Sequence, residues 1–120
     1  MAKILIVDDL PTEVQLMRSA IASLGHSVVV ATDGEQAVEM AHRESPDLML
    51  LDVVLPRMDG FQVCRKIKKD PNTSNIQVIL ISSKTQESDK FWGLKQGANA
   101  YIFKPFSPQE LVDAVKKNLR

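Results

Sequence analysis

The sequence contains a single cysteine, Cys64, and no excess of charge of either sign. One cysteine excludes an internal disulfide and cannot by itself form a metal site, so we expect Cys64 to be a small core residue. Fifteen basic and fifteen acidic residues cancel, so the net charge gives no reason to expect a nucleic-acid or membrane partner. Any electrostatic argument about function must therefore be local.

Long apolar runs are also absent, and Met1-Ala2-Lys3 leads into a strand-like segment without a signal peptide. The sequence therefore predicts no membrane insertion and a cytoplasmic location. It also lacks linkers, low-complexity stretches and repeats of solenoid period. Its length of 120 residues and 44% hydrophobic content predict one globular domain over residues 1–120.

Five short apolar segments predict β-strands. The segments at Lys3–Val7 and at 48–51 do not alternate with polar residues, which is typical of strands that are covered on both faces. The other three segments are Ser27–Ala31, 76–81 and Ala100–Phe103.

Each strand is followed by a segment with helical spacing and recognisable capping residues. Asp33 and Ser107 occupy cap positions, and Ser107 is followed by proline and, three residues on, by Glu110. A weaker helix is predicted over 86–96, where Phe91 and Trp92 would usually face the core. Five strand–helix repeats predict an α/β fold, a doubly wound (βα)5 domain with helices on both faces of a parallel sheet.

Polar residues follow four of these strands and should gather at one edge of the sheet, because the carboxyl ends of parallel strands meet there. These residues are Asp8, Asp9, Asp52, Ser82 and Lys104. Carboxylates packed together repel one another unless a cation neutralises them. Hard oxygen ligands of this kind suit Mg²⁺. The sequence therefore predicts a magnesium site at this edge.

The same residues predict group-transfer chemistry. Asp52 closes a buried strand between Pro46 and Pro56, where its carboxylate can act as a covalent nucleophile toward phosphorus. Lys104 and a bound cation would stabilise the charge on the transferring group. The interpretation is transfer of a phosphoryl group onto Asp52.

The whole pattern resembles the receiver domain of two-component response regulators. The resemblance is carried by Asp8-Asp9, by Leu-Leu-Asp-Val-Val-Leu-Pro-Arg-Met-Asp-Gly at 50–60, by Ser82, and by Lys104-Pro105-Phe106. It covers nearly the whole chain and implies a flavodoxin-like parallel sheet of strand order 2-1-3-4-5. It also implies a cis peptide bond between Lys104 and Pro105.

The resemblance further implies roles for individual residues. Asp52 would be the phosphoacceptor, and Asp9, Asp52 and the carbonyl oxygen of Val54 would bind Mg²⁺, with Asp8 contributing through a water. Lys104 would contact the phosphoryl group. Ser82 would be a switch residue that reaches for the phosphoryl group once it is formed.

Tyr101 lies where the family often has an aromatic switch residue. In the family, the side chains two positions after the acceptor and two after the hydroxyl flank the path of a hydrolytic water. Here those positions hold Val54 and Lys84.

The resemblance implies two protein partners and no enzymatic turnover beyond the chain's own phosphorylation and dephosphorylation. A histidine kinase would donate the phosphoryl group. A downstream protein would bind the face formed by the fourth helix, fifth strand and fifth helix, including Lys90, Phe91, Trp92 and Tyr101. The stretch 83–98 is similar to single-domain regulators of chemosensory systems, especially those of type IV pilus motility. Because the predicted last helix runs to the end of the sequence, no output domain is expected after it.

Two rival classes share parts of this pattern. A haloacid-dehalogenase-like phosphatase also uses an Asp nucleophile with Mg²⁺ but needs a second Asp two residues on, where this chain has Val54. A flavin-binding module needs a glycine- or hydroxyl-rich phosphate loop after the first strand, where Asp8 and Asp9 would repel phosphate. Elsewhere, His26, His42 and the basic run 65–69 are expected to be surface residues without a specific partner.

Overall fold

A five-stranded parallel sheet forms the centre of the molecule, in a computed structural model that describes residues 1–119. Its spatial strand order is β2-β1-β3-β4-β5, which confirms the predicted order. The strands are β1 (Lys3–Val7), β2 (Ser27–Ala31), β3 (Leu48–Asp52), β4 (Gln77–Ser82) and β5 (Ala100–Phe103).

One helix follows each strand, as the alternation in the sequence predicts. The helices are α1 (Pro11–Ile21), α2 (Gly34–Glu44), α3 (Gly60–Lys69), α4 (Glu87–Lys95) and α5 (Pro108–Asn118). A 3₁₀ turn over Ala22–Leu24 extends α1 to Gly25, whose φ of 74° is in the left-handed region that favours glycine. Within residues 1–119, every helix is too short or too polar to cross a bilayer.

Capping explains where three of the helices begin. The Asp33 and Ser107 side chains accept the backbone N–H groups of Gln36 and Glu110, as predicted for α2 and α5. The cap of α3 was not predicted: Asp59 accepts the Gln62 N–H at 3.0 Å while the Gln62 side chain accepts the Asp59 N–H at 3.2 Å. These caps set where the strand-to-helix loops end.

The apolar core lies in two layers, one on each face of the sheet. Side chains of α1 and α5, such as Met17 and Leu111, pack on one face. Side chains of α2 and α3, such as Met40 and Ile67, pack on the other, where Cys64 is fully buried as expected. All five residues of β3 are buried. This double coverage is the reason for the unbroken apolar run in the sequence.

Helix α4 departs from the sequence prediction. Phe91 is 63% exposed and Trp92 is 52% exposed, so the expectation that they face the core is wrong. Gly93 takes the inward position instead, and a Cβ there would lie 2.8 Å from Leu80 and 2.9 Å from the Tyr101 ring. The backbone of α4 therefore approaches the sheet too closely for a side chain at this point.

The two histidines also differ from expectation, because both have partners. His26 accepts the backbone N–H of Ala2 at 3.0 Å. His42 joins α2 to the end of α3, with Nδ1 2.9 Å from the Val38 carbonyl oxygen and Nε2 2.8 Å from an Asp70 oxygen. The Val38 carbonyl and then the Asp70 carboxylate raise the pKa of His42. A protonated ring donates to both acceptors.

We predict that Gly93→Ala lowers stability, against the usual gain of about 1 kcal/mol for this exchange inside a helix. The added methyl group would overlap Leu80 and the Tyr101 ring, and overpacking of this kind typically costs about 1–3 kcal/mol. The measurement is thermal or urea unfolding beside Ser88→Ala, an exposed position on the same helix. A melting temperature raised by Gly93→Ala would show that the helix moves away from the sheet at little cost.

Candidate functional site

The polar residues that follow the strands do meet at one edge of the sheet. Asp8 directly follows β1, Asp52 is the last residue of β3, Ser82 is the last of β4, and Lys104 follows β5. The strand register places Asp52 beside Ile81 and Ser82 beside Phe103. The sequence predicted β4 over residues 76–81, one residue before its observed range of Gln77–Ser82, so Ser82 lies within the sheet.

Three carboxylates form the centre of this edge. Asp8, Asp9 and Asp52 each place a carboxylate oxygen within 4.8 Å of the other two. Asp8 is fully buried and Asp52 is 6% exposed, while Asp9 is exposed. The backbone N–H of Leu10 donates to Asp8 at 3.0 Å and holds its carboxylate in place. Two buried acids and one exposed acid thus share one small space.

Lys104 provides the positive charge inside this group. Its Nζ lies 3.1 Å from an oxygen of Asp8, 3.1 Å from Glu13 and 3.6 Å from Asp52. Burial alone would lower the pKa of Lys104, but the charge of Asp52 and the contacts with Glu13 and Asp8 outweigh it and raise that pKa. The amine is therefore held charged. The peptide bond between Lys104 and Pro105 is cis.

Glu13 is a member of the site that sequence reasoning missed. It lies in the first turn of α1, and an acidic residue there is ordinarily explained by the helix dipole. Its position in the sequence could have indicated this role, because the first turn of a helix that begins at the sheet edge lies close to that edge. Its contact with Lys104 gives the lysine a third carboxylate partner.

The carboxyl group of Asp52 is strongly perturbed. Burial raises its pKa to about 6, and the Asp8 charge adds to the effect, while Lys104 and the backbone N–H groups of Val54 and Val53 oppose it. Charge at this carboxylate is thus only partly compensated by the protein. The donor set of hard carboxylate oxygens with an exposed member, Asp9, fits a magnesium ion that keeps several waters.

The loop after Asp52 is fixed by close backbone packing. The Gly60 N–H donates to the Val53 carbonyl oxygen at 2.8 Å, and a Cβ on Gly60 would lie 2.2 Å from the Asp52 carbonyl oxygen. Only glycine permits this approach. Val54, two residues after Asp52 in this loop, is 57% exposed.

A second group of contacts links the site to β5. The Ser82 hydroxyl oxygen accepts the Lys84 N–H at 3.0 Å, and the Tyr101 hydroxyl donates to the Lys84 carbonyl oxygen at 2.8 Å. Ser82 is fully buried, whereas Ser83 is exposed. Burial raises the pKa of Tyr101, which keeps its hydroxyl protonated as a donor. The backbone of Lys84 thus forms hydrogen bonds with the side chains of both Ser82 and Tyr101.

The residues that the sequence assigned to a partner-binding face differ in how exposed they are in the structure. Phe91 is exposed and Lys90 is half-buried, but Tyr101 is only 8% exposed and offers little area to a partner. Trp92 lies on the α3 side of α4, beside Arg65. The residues named for this face therefore do not form one continuous exposed surface, because Tyr101 is buried and Trp92 lies toward α3.

A parallel sheet of this order, with a buried aspartate cluster and a lysine at the ends of its strands, defines the receiver domain of response regulators. Residues 4–116 match that family, described as "Response regulator receiver domain", and the chain belongs to it.

The individual relatives are consistent with this assignment. The chain is 44% identical to protein PilH of Pseudomonas aeruginosa over 115 residues, which cover 96% of this chain and 95% of PilH. In other curated relatives the matched part is 26% to 48% of a longer protein.

Solved structures give the same fold. A response regulator structure from Chloroflexus aurantiacus is 35% identical, with a TM-score of 0.93 over 98% of this chain and 97% of that one. The receiver domain of sensor histidine kinase PA1611 from P. aeruginosa is 31% identical, with a TM-score of 0.89 over 98% and 97% of the two chains. That structure has a magnesium ion in its active site cleft.

We predict that Asp9→Asn loses most Mg²⁺ binding while the fold is kept, because Asp9 is exposed and its loss removes one anionic ligand without opening a cavity. The measurement is a magnesium titration followed by calorimetry or by amide NMR shifts. Glu87→Gln, an exposed acid at the start of α4, is the matched control and should titrate like the parent. Equal binding by parent and Asp9→Asn would remove Asp9 from the site.

Proposed function

We propose that the chain is a phosphorylation-controlled switch, in which Asp52 accepts a phosphoryl group in a magnesium-dependent reaction. The observation that carries the proposal is the meeting of Asp8, Asp9, Asp52 and Lys104 at the carboxyl ends of the strands. Asp52 is the carboxylate that combines a β-strand position at this edge with a direct approach from Lys104.

The chemistry is an in-line displacement at phosphorus. A carboxylate oxygen of Asp52 forms a bond to phosphorus while the bond to the donor's leaving group breaks, and the electron pair leaves with that group. Lys104, whose Nζ lies 3.6 Å from an Asp52 oxygen, would contact oxygens of the transferring group, and Asp8 and Glu13 hold the amine in position. The chemistry that a bound Mg²⁺ supplies is charge neutralisation at those oxygens. Asp9, Asp52 and the Val54 carbonyl oxygen would hold it, with Asp8 acting through a water.

The proposed phosphodonor is a histidine kinase, and the proposed output is binding to a downstream protein. Membership of the receiver family supports both partners. The likeness to PilH over nearly the full length of both chains supports a role in chemosensory or motility signalling. The cytoplasmic location and the single-domain organisation over residues 1–120 remain predictions of the sequence.

The rival classes lose support at particular residues. The haloacid-dehalogenase class requires a carboxylate at position 54, where the exposed Val54 side chain offers none. A flavin phosphate would meet the carboxylates of Asp8 and Asp9 at the end of β1. We therefore propose that the only turnover is the chain's own phosphorylation and dephosphorylation.

The contacts of Lys84 support a route for the switch. A phosphoryl group on Asp52 brings strong acceptor oxygens to which the Ser82 hydroxyl can donate. Movement of Ser82 toward them would break its contact with the Lys84 N–H, and so release the backbone unit that also holds the Tyr101 hydroxyl. Tyr101 packs under Gly93, so α4 would respond to the same change.

We predict that Asp52→Asn folds but takes up no phosphoryl group, because the amide has nearly the same shape and is not nucleophilic. The measurement is intact mass after incubation with acetyl phosphate and Mg²⁺. In chelator, the variant should be more stable than the parent by about 1–3 kcal/mol, since the buried charge beside Asp8 is removed.

The matched control for this prediction is Asp47→Asn, an exposed aspartate directly before β3 whose carboxylate accepts the Lys3 N–H. It should be labelled like the parent. Full labelling of Asp52→Asn, with the adduct mapped to another carboxylate, would move the phosphoacceptor away from Asp52.

We predict slow self-dephosphorylation, because neither side chain flanking the water path can accept a proton from water. Val54 is exposed and has no hydrogen-bonding group in its side chain. A charged Lys84 can only donate. Val54→Asn and Lys84→Glu should each shorten the lifetime several-fold, since an amide or carboxylate can orient the attacking water.

The lifetime is measured as loss of the phosphoprotein after the donor is removed, in Mg²⁺. Lys84→Met is the matched control for Lys84→Glu, because it removes the charge without adding an amide or a carboxylate. A parent that decays as fast as both variants would contradict this account of the water path.

A further inference from the structure

The charged surface of the chain is uneven, although its net charge is zero. Four exposed cations on α3 and α4 have no carboxylate within 4 Å among residues 1–119: Arg65, Lys66, Lys69 and Lys95. Elsewhere, Lys3 pairs with Glu44, Arg43 with Glu39, Arg57 with Asp33, and Lys104 with Asp8. Arg65, Lys66 and Lys69 all lie in the second half of α3, so unpaired positive charge is concentrated on that helix.

Three of these cations line a single cleft between α3 and α4. The cleft has a volume of ≈ 300 Å³ and is lined by Arg65, Lys69, Trp92, Lys95 and Gln96. It continues past Trp92 toward Phe61 and Asp59. Helix dipoles favour cations in the last turns of both helices, but they do not explain why the cations line one cleft with an exposed indole.

Trp92 is the second, independent feature of this cleft. Its side chain is 52% exposed, on a helix that offers Gly93 rather than an aromatic ring to the core. Exposed tryptophan and arginine side chains placed together are typical of the residues that dominate protein–protein binding energies. An indole in the cleft needs an apolar partner, and the cations around it need acidic ones.

We propose that this cleft, named here the α3–α4 cleft, binds an acidic segment of a partner protein, with an apolar side chain of that segment against Trp92. The three cations that line the cleft favour an occupant with negative charge. A nucleic acid fits less well, because a phosphate backbone that runs along the whole of α3 would meet the carboxylates of Asp59 and Asp70 at its two ends, whereas a short acidic segment can end within the cleft. A second copy of the chain would need an acidic face opposite Arg65 and Lys69.

The α3–α4 cleft lies away from the phosphorylation chemistry and does not depend on it. It shares Trp92 with the partner face predicted from the sequence, but it extends toward α3 and not toward β5 and α5. Because Trp92 directly precedes Gly93, which contacts Tyr101, an occupant of the cleft would rest on the same helix that packs over the proposed switch residue.

The test uses the full chain and its own reporter, because Trp92 is the single tryptophan. The probe is a synthetic twelve-residue peptide of glutamate with two phenylalanines, titrated while Trp92 emission is recorded. We expect a saturable blue shift that weakens with added salt, as the screening length falls from about 10 Å at 0.1 M to about 3 Å at 1 M.

Charge reversal identifies the surface. Arg65→Glu with Lys69→Glu should weaken peptide binding at least about tenfold, because like charges then face each other. Lys116→Glu with Lys117→Glu, in the last turn of α5, changes the net charge equally and should bind like the parent. Asp52→Asn should also bind like the parent, so failure of the phosphorylation proposal and failure of this one can be told apart.

Several outcomes would overturn the proposal. They are an unchanged Trp92 emission, equal losses in both charge-reversal variants, tighter binding of an oligo-dT twelve-mer than of the peptide, and emission that depends on protein concentration alone. The third outcome would indicate a nucleic-acid site and the fourth a contact between two copies.

Discussion

The attraction between one lysine and three carboxylates is the interaction on which the site depends. Lys104 reaches across the sheet edge from the end of β5 to Asp8, Glu13 and Asp52, and so joins parts of the chain that are far apart in sequence. Without it, two buried acids would lie side by side without compensation. The pKa of Asp52, raised to about 6 by burial despite this lysine, shows that the compensation is incomplete. Negative charge therefore remains at this edge for a bound cation to neutralise.

The fold makes this arrangement possible because the residues of the apolar core and the residues of the site occupy different parts of the strands. The two apolar layers on either face of the sheet involve residues inside the strands, such as Leu50 and Leu51. The polar residues begin where the strands end. Substitutions at the edge can thus change reactivity without opening the core, and the close packing of Gly60 against the Asp52 carbonyl oxygen keeps the edge rigid.

The sequence predicted the sheet, its strand order and the residues at the strand ends, because these follow from apolar periodicity and from the family motif. It did not predict Glu13, since one acid in a first helical turn carries no sign of its tertiary partner. It favoured the core for Phe91 and Trp92 as the usual position of helical aromatics, because helical spacing cannot show that Gly93 takes the inward position. The His42–Asp70 contact was also missed, as it joins two helices whose relative position depends on the sheet. Local sequence patterns therefore could not predict which side chains far apart in the sequence contact one another.

The Lys84 backbone has a consequence for how such a protein can change over evolution. Its N–H and carbonyl groups hold Ser82 and Tyr101, and every residue type except proline provides both groups. Its exposed side chain is free to vary. In the proposed mechanism, mutation at this one codon would change the duration of a signal while the backbone contacts with Ser82 and Tyr101 stay intact, so that timing and switching could be selected separately.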